Sequence, residues 1–80
     1  MNGNADQIRE LIARQLGIHE VGINDRLVED LGAESIDLVT IIAVIEETYG
    51  VAIDEERLPL LRTAADLSAE LARLHATGGD

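Results

Sequence analysis

Ser35-Ile36-Asp37-Leu38-Val39-Thr40-Ile41-Ile42-Ala43-Val44-Ile45-Glu46-Glu47-Thr48-Tyr49-Gly50 has the spacing of a helix. On a helical wheel Leu38, Ile41, Ile42, Ile45 and Tyr49 fall within ~100° of one another and define an inward face, with Gly50 as the C-terminal stop. Ile36, Val39 and Ala43 form a second apolar stripe on roughly the opposite side. A helix apolar on two sides is either central in a bundle or docks something. In a chain of 80 residues few other elements remain to cover a second face, so the stripe is expected to be a docking surface.

Working outward, the spacing predicts a first helix that starts at Asn4, with Gln7 in the capping-box position, places Ile8, Leu11, Ile12 and Leu16 on one face, and stops at Gly17. Between Gly17 and Glu34 no period persists; Ile18, Val21, Ile23, Leu27 and Leu31 are available to pin this long loop down. After a short extended piece, Val51-Ala52-Ile53, the acids of Asp54-Glu55-Glu56 favour a helix start. Pro59 disfavours helical geometry at Leu58, so one or two irregular turns are expected. Thr63 caps a last helix with Asp66 closing a capping box and Ala64, Leu67, Leu71 and Leu74 facing inward, and the tail from His75 to Asp80 is expected to fray. The fold expected is all-α: a four-helix bundle with a short, irregular third helix and a long loop between helices one and two. It forms one domain over 1–80 with an ordered core of about 4–75.

Composition narrows the class. Sixteen Asp and Glu stand against six Arg and no Lys, a formal net charge of −10. Such acidity opposes phosphate backbones and anionic membranes and favours basic protein partners, so neither nucleic acid nor membrane is an expected ligand. The chain has no cysteine and one aromatic residue, Tyr49, and its N-terminus lacks the pattern of a signal peptide; a cytoplasmic monomer is expected. His19 and His75 have no metal-ligand spacing, and no metal site is expected.

Chemistry concentrates in Leu27-Val28-Glu29-Asp30-Leu31-Gly32-Ala33-Glu34-Ser35-Ile36-Asp37. Ser35 is read as the N-cap of the second helix, its oxygen accepting a hydrogen bond from a first-turn amide, with Glu34 and Asp37 flanking it without closing a reciprocal capping box. Gly32 lets the backbone turn sharply and leaves the hydroxyl open. Both histidines are far away in sequence, so Ser35 lacks the partners of a catalytic nucleophile. It reads as a residue to be modified, on a protein that is not an enzyme. A phosphate ester there would lie at the positive end of the helix dipole. Glu34 and Asp37 oppose it, and suit recognition by basic enzymes better.

At these residues the chain resembles the acyl carrier proteins, whose signature is a glycine, a variable residue, then Asp-Ser-Leu-Asp at the start of the second of four helices. Gly32-Ala33-Glu34-Ser35-Ile36-Asp37 matches it with two conservative departures. The likeness runs without gaps from about Leu27 to Leu67, through Glu46-Glu47-Thr48-Tyr49-Gly50, Asp54-Glu55-Glu56 and Thr63. Thr40, Leu38 and Pro59 depart from the family pattern and point to a dedicated carrier of a specialised pathway.

The resemblance implies that Ser35 receives 4'-phosphopantetheine from coenzyme A through a separate, magnesium-dependent phosphopantetheinyl transferase. The thiol of the arm would carry acyl groups as thioesters between acyl-transfer, synthase, reductase and dehydratase enzymes of fatty acid or polyketide-type biosynthesis. The protein would then be a free-standing carrier whose acyl chain can fold back between the helices. Glu34, Ile36, Asp37, Val39, Glu46, Glu47, Asp54 and Glu56 map onto partner-recognition positions with basic docking patches opposite. Two other readings fit the residues: a peptidyl or aminoacyl carrier, and an unmodified acidic helical adaptor for a basic partner.

Overall fold

Four helices and no strands are present in the computed structural model, which describes residues 3–78. They are α1 (Gly3–Leu16), α2 (Ser35–Tyr49), a 3-10 helix (Glu55–Leu60) and α3 (Ala64–Gly78). This is the expected all-α bundle, with the short third helix and an 18-residue loop at 17–34. α1 is the helix against which both α2 and α3 pack. The aliphatic core gathers Ile8 and Ile12 of α1, Ile41 and Ile45 of α2, and Ala64, Leu67 and Leu71 of α3. Leu38, Ile42 and Tyr49 pack against it half-buried, so the inward face of α2 is the one its wheel predicts.

Several local expectations are corrected. α1 includes Gly3, so Asn4 lies inside the helix and not at its cap. Gln7 is used elsewhere, its Oε1 accepting a hydrogen bond from the Tyr49 hydroxyl at 2.7 Å. The segment 51–53, expected as a short extended piece, has no regular secondary structure, and Ile53 is anchored by its amide, which donates to Glu46 Oε2 at 2.8 Å. Residues 75–78, expected as a frayed tail, continue α3; Gly79 and Asp80 lie outside the described residues. Pro59 does not interrupt the 3-10 helix. Proline supplies no amide donor, but its fixed φ lies within the 3-10 range, and the tighter helix still closes with Leu61 N donating to Leu58 O at 3.0 Å.

The long loop is held by its backbone as much as by its side chains. Leu27 N donates to Arg62 O and Ala65 N to Ile23 O, both at 2.9 Å, which straps the loop to the start of α3. Arg9 Nε donates to Val21 O at 2.7 Å and ties it to α1. Val21 and Leu27 are buried and Ile23 and Leu31 half-buried, whereas Ile18 stays exposed and pins nothing. Thr63 and Asp66 form the expected capping box: Asp66 N donates to Thr63 Oγ1 at 3.1 Å, and Thr63 N to Asp66 Oδ2 at 3.2 Å.

One buried group has no counterpart among the expectations. Glu70 of α3 is 2% exposed and is held by two arginines. Arg57 Nε donates to its Oε1 at 2.8 Å and Arg73 Nη2 to its Oε2 at 2.6 Å. The Arg73 hydrogen bonds, with those of Arg57 and against the opposing effect of burial, hold the Glu70 carboxyl below its ordinary value of about 4.5. A depressed carboxylate stabilises the fold above its unfolded pKa, and the contribution is lost as pH falls through the folded value. Glu70→Gln is therefore expected to be destabilising at pH 7, and the gap from wild type should close as pH drops below about 4.5. Urea melts of both proteins across pH check this; a gap that stays constant would mean Glu70 acts by shape rather than by charge.

Candidate functional site

Gly32 adopts φ 72°, a left-handed conformation that a β-carbon would strain. It ends a hydrogen-bonded turn in which Gly32 N donates to Val28 O and Ala33 N to Leu27 O, at 3.1 and 2.9 Å. Ala33 beside it is buried and fixes the chain on the core, so the residues that follow emerge at the surface. The N-cap of α2 is Glu34, in extended geometry, and Ser35 is the first residue of the helix. The expected Ser35 cap is thus corrected by one position. Asp37 supplies the capping contact, its Oδ2 accepting from Glu34 N at 3.0 Å.

That shift changes the chemistry of the serine. The Ser35 hydroxyl is exposed, and no hydrogen bond engages it among the described residues. Among the described residues no histidine or carboxylate is hydrogen-bonded to it as a base, so the oxygen is accessible but not activated. His19 and His75 are both exposed, and the described residues contain no cluster of three or more His, Cys, Asp or Glu placed to hold a metal.

Ser35 also stands at the edge of a cavity of about 550 Å³. One wall is α2, through Leu38, Val39, Ile42 and Ala43; the other is the segment of Ile53, Leu58 and Leu61, and Leu27 and Leu67 close the bottom. The lining is almost wholly aliphatic, with Glu46 and Glu55 at its polar margin.

Of the other residues singled out in the sequence, Val39 and Glu46 line this cavity. Ile36 and Val39 are 66% and 63% exposed, so the second stripe of α2 is an uncovered apolar surface. Glu34 and Glu47 are exposed on α2 and its cap, Asp54 and Glu56 at the start of the 3-10 helix across the cavity. Asp37 and Glu46 are half-buried and each has a structural task, at the cap of α2 and at the Ile53 amide. Sequence reasoning missed Arg57 and Glu70. Helical spacing carried a signal for Glu70, since it falls between Leu67, Leu71 and Leu74 on the inward stripe of α3.

The phosphopantetheine attachment site family matches residues 6–71, which covers most of α1, the loop, α2 with Ser35, the 3-10 helix and the first half of α3. An acyl carrier protein of Chlamydia caviae is 38% identical over 64 residues, 78% of this chain and 83% of that protein. The chain belongs to the acyl carrier protein family. An acyl carrier protein of Solidesulfovibrio magneticus is 36% identical over 64 residues, 78% of this chain and 82% of that protein. Among solved structures, BlmI, a type-II acyl carrier protein from Streptomyces verticillus involved in bleomycin biosynthesis, aligns with a TM-score of 0.78 at 26% identity, covering 95% of this chain and 87% of that one.

Acyl carrier proteins are carriers and not catalysts, and family membership brings with it a covalently attached 4'-phosphopantetheine and interaction with a phosphopantetheinyl transferase and biosynthetic enzymes. The site fits such a group on its own geometry: an exposed hydroxyl free of hydrogen bonds, at a helix N-terminus, opening on an aliphatic cavity. No helix among the described residues is long and apolar enough to cross a membrane.

Proposed function

We propose that Ser35 is the attachment point and that this carrier shuttles acyl groups as thioesters among cytoplasmic enzymes of a fatty acid or polyketide-type pathway. The observation that carries the reading is the unengaged Ser35 hydroxyl at the mouth of the cavity. In the transfer from coenzyme A, Ser35 Oγ forms the new bond to phosphorus and gives up its proton while the pyrophosphate P–O bond breaks and 3',5'-ADP leaves. Among the described residues none is hydrogen-bonded to that hydroxyl to take its proton, so we assign the base to the transferase. The bound arm supplies a terminal thiol for thioester formation. The aliphatic walls of Leu38, Ile42, Leu58 and Leu61 suit a hydrocarbon chain withdrawn from water. Intact mass before and after incubation with coenzyme A, magnesium and a broad-specificity transferase tests the reading; an unmodified adaptor would gain no mass.

Ile36 and Val39, with Glu34, Glu47, Asp54 and Glu56 around them, form the surface we assign to basic partner enzymes. Asp37 and Glu46 border it while also holding the fold. Ile36→Asp and Val39→Asp should each change stability by no more than about 0.5 kcal/mol, because both side chains are already in water. Each should lower kcat/KM of the transferase toward this protein by roughly tenfold, the scale of losing an apolar anchor of an interface. A large drop in melting temperature from Val39→Asp would show that the two faces of α2 are assigned backwards.

A further inference from the structure

The wall of the cavity opposite α2 includes the 3-10 helix. No residue of the 3-10 helix is buried, and its Leu58 and Leu60 are 37% and 57% exposed. Its ends are tied down, by the Ile53 amide on Glu46 at one side and by the Arg62 carbonyl on Leu27 at the other. Its middle is crossed to α3 by Arg57, whose Nε lies 2.8 Å from Oε1 of the buried Glu70. Arg73 belongs to the same helix as Glu70, three residues on, and also feels the charge of Asp54 at the cap of the 3-10 helix. Arg57 is the residue within the 3-10 helix whose side chain bonds Glu70 of α3.

A buried carboxylate is costly, and a buried ion pair replaced as a whole by apolar side chains of similar volume often leaves a fold as stable or more so. What the charge pair adds is direction and length: it holds Arg57 at one distance from α3, whereas apolar contacts slide. We propose that Arg57 and Glu70 form a latch that fixes the position of the Leu58 and Leu61 wall relative to α2, and so sets the length and bulk of acyl group the cavity accepts. Glu70 and Arg57 are on this view positioning residues for cargo, acting through the wall and not by touching it. The inference rests on the reading of the cavity as the acyl chain's refuge.

Arg57→Gln is the informative variant, since Arg73 still pairs with Glu70 and no buried charge is orphaned. In the protein without its arm, amide hydrogen exchange at Leu58, Leu60 and Leu61 should rise about tenfold, the loss of one charge-assisted hydrogen bond from local opening. The amides of Ile12 in α1 should change less. With short, medium and long saturated acyl groups loaded on the arm, hydroxylamine cleavage of the thioester reads how well each is sheltered. Wild type should shelter one length best; Arg57→Gln should move that optimum to longer groups, and Arg57→Lys should move it back. Faster exchange with an unmoved length optimum would overturn the latch while leaving the cavity reading intact. Cleavage independent of length in wild type would overturn both, and unchanged exchange at Leu58 to Leu61 would overturn the latch outright.

Discussion

Ser35→Ala is expected to abolish addition of 4'-phosphopantetheine and to leave the fold untouched. Both halves of that expectation come from the position of the residue as the first of α2 and not as its cap. The capping contact runs between Glu34 N and Asp37 Oδ2, so truncating the serine removes no hydrogen bond. Alanine is the stronger helix former, and the net change in stability should stay within about 0.5 kcal/mol. Modification, by contrast, needs the oxygen itself, and the described surface near Ser35 offers no second hydroxyl in the same turn of α2: Thr40 lies further along and its Oγ1 donates to Ile36 O at 2.9 Å. Intact mass after incubation with the transferase, with a thermal melt in parallel, checks both halves. A modified variant would move the attachment point elsewhere. A stability loss near 1 kcal/mol, the usual worth of a serine cap, would show that the hydroxyl caps α2 after all.

Ile45→Ala is expected to cost about 2–5 kcal/mol, the range for truncating a buried branched aliphatic residue. Ile45 is fully buried and sits between α2 and the α1 residues Ile8 and Ile12 in the common core. A fold of 80 residues has a total stability of roughly 4–12 kcal/mol, so this one change removes a large share of it. Nothing nearby is suited to fill the void: the core contains no methionine or phenylalanine with the reach to move in. Urea denaturation should show a lower midpoint with an unchanged slope, the mark of lost stability rather than an altered unfolded state. A midpoint shift no larger than that of Val39→Asp would mean that α2 does not pack through the Ile41 and Ile45 face.

Hydrophobic periodicity is a local property, and what depends on it was legible in the chain. The two faces of α2, the Thr63 and Asp66 capping box and the inward stripe of α3 are all set by residues within four positions of one another, and each stands where the spacing puts it. Ser35, the attachment point we propose, stood out in the chain for the same reason, since glycine, acid and serine are neighbours in sequence. Its hydrogen-bonding state was not. Whether Glu34 or Ser35 caps α2 turns on the backbone angle at one residue, and the turn closed by Gly32 and the burial of Ala33 decide it.

Contacts between distant segments belong to the tertiary structure alone. The loop at 17–34 has no period because it is held by bonds to Arg9, Arg62 and Ala65, partners that no local pattern announces. The cavity is lined jointly by α2 and by the segment of Ile53, Leu58 and Leu61, which Glu46 ties to α2 at Ile53 and Arg57 ties to α3 at Glu70. Glu70 fell on an apolar stripe in the sequence, but only the arrival of Arg57 from 13 residues away beside Arg73 makes a charge tolerable there. The amino-acid sequence by itself determined the helices, their inward faces and the serine that marks the family, because neighbouring residues carry that information. The tertiary structure decided which hydroxyl is left without a partner and where the cavity opens, because both are set by groups that meet only once the chain has folded.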